Sequence, residues 1–588
     1  MRVEIIEGKE AIERLRPQWD AVYDADPEAQ FFLSWSWLDA YNAPWAYDVF
    51  VLAVRPDDDS ADYVALMPLR LRTRERRNTE FVNELNLAGN YISDYCGFLC
   101  RAGFEEQALP ALAAKIQQFN WRRLRLEYFR ASEHRAELFL RGFSSSTFMT
   151  TQVSAVNPDG TDNSICPSVA LPDDWDRFLE TKVSSNTRQK IRRFLRQVES
   201  SDDYRITHAT ADTLERDIEN MLTLWTARWG ARKGRRLPSI LSANRLALRK
   251  AFAAGTLFMP VLWHGDRAIC VLAILVDDRK KTYNFYIGGR DEDFKGPPTG
   301  LVLHGYAIRH AIANGITKYD FLRGNEAYKY SFGCEELHLK SLLLTTRDQR
   351  NLRGKIEPRG VPVVVARAFE LHQANKLEAA ERACQQVLEV DPRNARALHL
   401  LGTAEAKRGN HLMAVKHLRL LVSLVPNAVA SWYALAKSLQ ARGAWAEAAD
   451  AYCELISRQP THPQVYHSLG QVLLKLDQVD HAVTVFEAAL GLKADYADAL
   501  IGRSEAMGIR GAIPRSKAEK RASRHAAVGE RVAKVAEIAA AARRFNEAMI
   551  ADQPAGSQGA GIAMLADVRR PAGSPRLQMA GAKNRVLH

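Results

Sequence analysis

Residues 395–428, ARALHLLGTAEAKRGNHLMAVKHLRLLVSLVPNA, and residues 429–462, VASWYALAKSLQARGAWAEAADAYCELISRQPTH, are two writings of one pattern. Pro392, Pro426 and Pro460 stand 34 residues apart, and Ala494 takes the next place. Ala380, Ala414, Ala448 and Ala482 keep the same interval, as do Leu401, Leu435 and Leu469, and Leu418, Tyr452 and Phe486. Gly402 and Gly470 share a register with Ala436 between them, and Trp432 matches Tyr466. Pairs of short antiparallel helices explain these residue types. A small side chain sits where two helices touch, a large one fills the gap beside it, and Pro ends the second helix because it lacks an N–H and clashes with the preceding turn. Each pair leaves an apolar face for the next pair to cover. Four units follow, 361–394, 395–428, 429–462 and 463–496, with a capping helix over 497–511. The first unit departs most, with Arg367 and Ala368 where later units carry Leu and Gly or Ala.

This set of positions resembles the tetratricopeptide repeat family. The resemblance implies a concave surface for a protein or peptide partner; a spacer or self-association module is the alternative.

A chain of 588 residues is too long for one core, and 47% apolar with 26% charged residues is the composition of a globular protein. No apolar run reaches the roughly 18 residues that span a bilayer. The opening MRVEIIEGKEAIERL carries acids where a signal peptide needs an apolar stretch, so a cytoplasmic location is expected. Cys96, Cys100, Cys166, Cys270, Cys334, Cys384 and Cys453 are scattered singly, with no C-x-x-C and no H-E-x-x-H, so neither a disulfide framework nor a metal is expected. The net charge of +12 gathers in 188–196 and in the tail after Ser516. The tail reads as a solvated extension. The first cluster, with Arg188, Lys190, Arg192 and Arg193 on a helix over 187–199 whose buried side holds Ile191 and Phe194, is a solvated face or a site for an anion. Trp225, Trp229 and the basic 232–236 cluster either flank the same cleft or serve the core.

Upstream of the repeats, LFMPVLW and AICVLAILV flank His264-Gly265-Asp266-Arg267 and read as a hairpin. KTYNFYIGG is a third strand. Lys295-Gly296-Pro297-Pro298-Thr299-Gly300 follows as a loop, and LVLHGYAIRHAIANG as a helix with Leu301, Ile308 and Ile312 on one face and Gly315 as its stop. TKYDFL is the next strand, and HLKSLLLTT is expected as its partner. A glycine-containing loop at a helix amino end is an anion cradle or a plain connection. Residues 47–55, 61–71, 81–87, 104–119 and 121–128 repeat this order as hairpin, strand, helix and strand, without the glycine-rich loop. A duplicated domain is therefore expected, its second half alone keeping the loop.

Four stretches carry a second resemblance: Phe32-Leu33-Ser34-Trp35-Ser36-Trp37-Leu38, Ser93-Asp94-Tyr95, Arg188-Gln189-Lys190-Ile191-Arg192-Arg193, and Gly315-x4-Asp320-Phe321-x2-Gly324-x-Glu326-x-Tyr328-Lys329. Residues 1–346 resemble the GNAT acyltransferase superfamily, in the branch of the CelD/BcsL cellulose-biosynthesis acetyltransferases and the FemAB-like peptidyltransferases. The resemblance implies tandem α+β GNAT-like domains, each a mixed sheet with flanking helices, followed by the all-α repeat solenoid. The expected divisions are 1–165, 166–346, a linker over 347–360, repeats over 361–511 and a tail over 512–588, helical over 517–549 and then disordered. It implies acetyl-CoA as acyl donor, its pyrophosphate at Lys295, Gly296, Thr299 and Gly300 with Lys329 near, although Pro297 and Pro298 remove two backbone donors. Acylation of a sugar or amine in polysaccharide or envelope assembly is one expectation. An aminoacyl-tRNA-dependent transferase and a non-catalytic scaffold are the others.

Acyl transfer needs alignment, a proton acceptor and oxyanion stabilisation. Asp320 is a base or an ion-pair anchor for Arg323 or Lys329. Glu326 is catalytic or a helix-start residue. Tyr328 is a proton donor to the leaving thiolate or core packing. Asp94 with Tyr95, and Arg188 with Arg192, are candidates for binding the acceptor or an anion, against readings as turn residues and a solvated face.

Overall fold

The structure is a computed structural model and describes residues 1–41, 48–58, 62–76, 80–89, 92–512 and 526–551. It divides into two bodies, residues 1–426 and 427–588. The first body contains two mixed sheets. The chain runs through β1 (Arg2–Glu7), β2 (Val49–Arg55), β3 (Ala65–Glu75), β4 (Phe81–Leu87), β5 (Leu99–Cys100), β6 (Arg123–Phe129) and β7 (Phe148–Gln152). It then enters the second sheet with β8 (Ile165–Ala170), β9 (Tyr204–His208), β10 (Leu257–Phe258), β11 (Pro260–His264), β12 (Arg267–Asp277), β13 (Thr282–Arg290), β14 (Lys318–Asp320) and β15 (Glu335–His338). The last strand, β16 (Lys340–Thr346), returns to the first sheet.

The expected duplication is visible in the pairing. β2, β3 and β4 are antiparallel neighbours, the helix Glu105–Ile116 crosses over, and β6 lies parallel to β4. In the second sheet β11, β12 and β13 are antiparallel, the helix Thr299–Ala313 crosses over, and β14 lies parallel to β13. Residues 338–346 correct the sequence reading. They do not pair with β14, both of whose edges are taken, by β13 and β8. β16 inserts instead between β6 and β7, and Leu342 and Leu344 reach the first half's core.

Four helix pairs occupy the four repeat units. In the first body they are Val361–Gln373 with Leu377–Leu388 and Ala395–Lys407 with His411–Leu424. A Cβ at Gly402 would lie 2.6 Å from Leu418 Cγ, which is why this position is small where its partner is large. In the second body the pairs are Val429–Ala441 with Trp445–Arg458 and Pro463–Lys475 with Val479–Leu492, followed by the capping helix Ala497–Ala512. There a Cβ at Gly470 would lie 2.6 Å from Phe486 Cε1. The helix Ala526–Ala551 packs along Trp445–Arg458 and Val479–Leu492, burying Val532, Val535, Ala539 and Ala542 and pairing Arg531 with Asp450. The helix expected at 517–549 thus lies at Ala526–Ala551; residues 513–525, and the expected disorder after 551, lie outside the described residues.

The segment expected as a linker is packed. Asn351, Ile356, Glu357 and Gly360 are buried. Asn351 accepts from the Asn83 N–H (2.9 Å) and donates to the Phe81 carbonyl (3.2 Å); Asn83 Oδ1 accepts from the Glu357 N–H (2.8 Å). The first repeat unit continues this contact. Phe81 and Ile356 share a core with Val361, Val364 and Val365, and the Phe81 N–H donates to Gln386 (2.9 Å). Arg367 breaks the Leu pattern of later units because it reaches Glu75, at 2.7 Å.

Replacing Asn351 by Ala leaves two buried backbone groups unpaired, so a loss of about 1–3 kcal/mol is expected in urea unfolding of the full chain. Arg367→Leu removes only an exposed pair and is expected to cost less than about 1 kcal/mol. The reverse ranking contradicts this account.

Candidate functional site

The parallel ladder between β13 and β14 has three pairs, Thr282 with Lys318, Tyr283 with Tyr319, and Asn284 with Asp320. Beyond them the strands part. The Phe321 N–H donates to the Pro167 carbonyl (2.9 Å) and the Gly324 N–H to Ile165 (2.8 Å), so the chain after β14 follows β8. β13 continues along β12 to Arg290. Its ladder with β12 shifts register between Ala273 and Ile274, leaving Tyr286 as the extra residue between Phe285 and Ile287. Such a bulge re-aims a side chain and breaks the regular use of backbone groups. The Tyr286 ring lies 5.4 Å from Trp37 and 6.5 Å from Phe32.

The crossover helix starts beside this wedge. Pro298 precedes it without a side-chain cap, and its first turn carries no acid. The first N–H to find a helical partner is that of Val302, on Pro298 O (3.0 Å). Among the described residues no protein acceptor is bonded to the N–H groups of Thr299, Gly300 and Leu301. Open space surrounds the position of a Gly300 Cβ, and Lys295 and Gly296 are exposed just upstream. Free amide donors and the positive helix end together favour an anion.

The first half lacks both features. Its crossover helix has Glu105 and Glu106 in the first turn, and Glu105 accepts from the Gly103 N–H (2.7 Å) and from Arg135 (2.8 Å). The β6 edge that β4 leaves is taken by the chain itself. The Cys96 N–H donates to Tyr128 O (2.9 Å), and the Arg130 N–H donates to Cys96 O (2.8 Å).

Three of the four motif stretches converge where the halves meet. Trp37 donates to Ser93 Oγ (2.8 Å), Phe32 packs edge-on against Tyr95, and the Tyr95 hydroxyl donates to Asp320 Oδ1 (2.8 Å). Asp320 also accepts from the Leu322 N–H (2.9 Å), and Lys318 lies 3.6 Å away. Neither Arg323 nor Lys329 is its ion-pair partner. Arg323 donates to Asp94 through Nε (2.7 Å) and Nη2 (2.6 Å), and its guanidinium stacks 3.7 Å over the Tyr128 ring. Leu322 and Tyr128 both adopt positive φ, 55° and 51°, a strain that this contact and the Asp320 turn hold in place. Lys329 is 2% exposed; its ammonium bonds the carbonyls of Arg323 (2.8 Å) and Gly324 (2.9 Å) and pairs with Glu326 (3.0 Å). Gly324 has φ 102°, and a Cβ there would meet Glu326 Oε2 at 2.5 Å, so the carboxylate lies over the glycine. Tyr328 is 39% exposed. The fourth stretch stays apart from this junction: Arg188 donates to the Leu179 and Glu180 carbonyls and Arg192 pairs with Asp176 (2.7 Å).

Sequence reasoning missed His304. It sits on the crossover helix, 2% exposed, with Nδ1 2.9 Å from the Tyr319 hydroxyl. Phe285 and Phe321, the first residues past the last β13–β14 pair, flank its ring at 4.6 and 5.1 Å, and Tyr328 lies 5.7 Å away. Burial first, and the Lys329 charge second, push its pKa down to about 3. A histidine inside the apolar stripe of a helix gives no signal beyond its polarity.

Two surface hollows, of about 300 and 400 Å³, lie elsewhere, between β3 and the helix Val361–Gln373. Charged groups that line them are already answered within the chain. Arg74, Arg359 and Arg367 along them are paired with Glu84, Glu7 and Glu75. No helix among the described residues is long and apolar enough to cross a membrane.

His304 is neutral in the folded chain, so its stabilising share is present above pH 6.5, its ordinary value, and is lost as pH falls. Up to about 1.4 kcal/mol per pH unit is expected from this group below that point. Urea midpoints at pH 7 and pH 5 should differ less for His304→Gln than for the parent chain; equal differences refute the assignment.

A model of the "Acetyltransferase (GNAT) domain" matches residues 185–330, and a model of the tetratricopeptide repeat matches residues 463–496. No curated protein matches. Among solved structures, FemX is 10% identical over 57% of this chain and 96% of its own, with a TM-score of 0.41. A conserved protein of unknown function from Bacteroides thetaiotaomicron VPI-5482 is 14% identical over 56% of this chain and 96% of its own, with a TM-score of 0.35. MamA is 22% identical over 30% of this chain and 94% of its own, with a TM-score of 0.25. Likeness of this size says nothing about activity. The chain carries a GNAT-type acetyltransferase domain, within which the open wedge and its crossover helix lie, and tetratricopeptide repeats in the same polypeptide.

Proposed function

We propose that the chain transfers an acyl group from acyl-CoA, with acetyl-CoA as the donor, to an amine or hydroxyl acceptor, and that the repeats place this activity on a protein partner. The observation that carries the reading is the pairing of an open β13–β14 wedge with an uncapped crossover helix, in the second half only. The N–H groups of Thr299, Gly300 and Leu301, with Lys295 and Gly296 in the preceding loop, are the donors for the pyrophosphate. Their number suits it despite Pro297 and Pro298, because the helix begins immediately after the second proline. The β13 edge beyond Asn284 offers backbone groups to the amides of the pantetheine arm.

In the reaction the acceptor's lone pair attacks the thioester carbonyl carbon, the C–S bond breaks, the acceptor loses its proton and the departing sulfur gains one. The bulge at Tyr286 bends β13 where it leaves β14, beside the place assigned to the thioester carbonyl. Tyr328, partly exposed beside the wedge, is assigned the proton that goes to sulfur. Glu326, whose side chain is 31% exposed, is assigned the proton that leaves the acceptor. Asp320 acts through Tyr95 and the Leu322 turn, as the anchor that fixes one half on the other. Lys329 clamps the turn that carries Arg323 and Gly324. Asp94 and Arg323 set the wall on which the acceptor enters.

Calorimetry of the full chain with acetyl-CoA tests the reading. Gly300→Ala meets no neighbour and should bind as the parent does. Gly300→Asp places a carboxylate at the same helix end and should weaken binding roughly tenfold or more. Absence of binding by the parent chain, or equal affinity of the two variants, overturns it. RNase-sensitive copurification of tRNA in place of acetyl-CoA binding favours the aminoacyl-tRNA alternative.

A further inference from the structure

We infer that His304 donates a hydrogen bond from Nε2 to the bound acyl donor at the point where β13 and β14 part. This rests on the acyl-CoA reading and adds a residue to it. Tyr319 on β14 is fully buried, and its hydroxyl has His304 Nδ1 as its bonded partner among the described residues. A phenol has one proton to give. If Nδ1 carried a proton instead, the Tyr319 O–H would be left buried without an acceptor, at a cost of about 1–3 kcal/mol. Tyr319 therefore donates to Nδ1, and the neutral imidazole holds its proton on Nε2. No acceptor for that N–H is bonded among the described residues; besides Tyr319, the aromatic neighbours of the ring are Phe285, Phe321, Tyr328 and Phe332, and the Lys329 charge also acts on it.

Position decides what that donor meets. Phe285 and Phe321 touch the ring from the two strands immediately beyond their last pair. His304 is also on the helix whose first turn supplies the free N–H groups, a little under one turn from Leu301. A donor chain lying from that helix end into the wedge brings its thioester to the imidazole. A neutral N–H there polarises the thioester without adding a charge that a thiolate would have to be separated from.

The test uses the full chain labelled with ¹⁵N-histidine, His304→Gln to assign the signal, and acetyl-CoA as the probe. The expected result is an Nε2–H tautomer that stays neutral to pH 5 and whose Nε2 resonance moves when acetyl-CoA is added. An Nδ1–H tautomer, or an Nε2 resonance unmoved while calorimetry records binding, overturns the inference and leaves the acyl-CoA reading standing. No binding at all overturns both. Two variants give a second readout. His304→Phe keeps the ring but not the donor and should bind acetyl-CoA about tenfold more weakly. His304→Gln, which keeps an N–H, should recover part of that loss; if Phe and Gln bind equally well, the donor role fails.

Discussion

The ladder between β13 and β14 ends after three pairs because the chain leaving β14 is held by β8, through the Phe321 and Gly324 amides. The rest of the second half is arranged around that divergence. β13 stays with β12 and takes up a bulge at Tyr286. The crossover helix lies beside both strands, its amino end uncapped and its His304 at the place where they separate. Asp320 closes the ladder and is tied to Tyr95 of the first half, so the wedge is set by contacts on both sides of the junction.

The two halves share a strand order and differ in what fills the equivalent spaces. In the first half Glu105 answers the helix amino end, and the Cys96 segment occupies the strand edge. That half performs two structural tasks. Ser93, Asp94 and Tyr95 support the second half, and β3 and β4 receive the packed segment after β16 and the first repeat unit. β4 has Phe81 against the repeat core at one end and, past its other end, the chain that carries Ser93 to Tyr95.

Much of this is legible in the sequence because it repeats. The 34-residue period yields the helix pairs, since a small residue facing a large one is a local rule, as at Gly402 and Leu418. Arg367 stands out as an exception for the same reason, although its partner, Glu75, is 292 residues away and not written locally. The strand, loop, helix and strand order is legible through turn chemistry and alternation. Non-local facts are not. The return of β16 to the first sheet depends on which edges are open, and its leucines suit either sheet. The Tyr286 bulge depends on the register of β12. Lys329 looks like a surface cation next to Tyr328 until the turn it clamps is folded. Asp94 and Tyr95 are named by their motif, but only the fold shows that they hold Arg323 and Asp320.

Amide hydrogen exchange of the full chain with and without acetyl-CoA tests the central claim, that only the second half's wedge takes an acyl donor. The account predicts slowed exchange at Thr299, Gly300 and Leu301 and along β13 from Tyr286 to Gly289, with the first half's helix at Glu105, Glu106 and Gln107 unchanged. Protection at Glu105–Gln107, or none at the Thr299 turn under saturating acetyl-CoA, contradicts it.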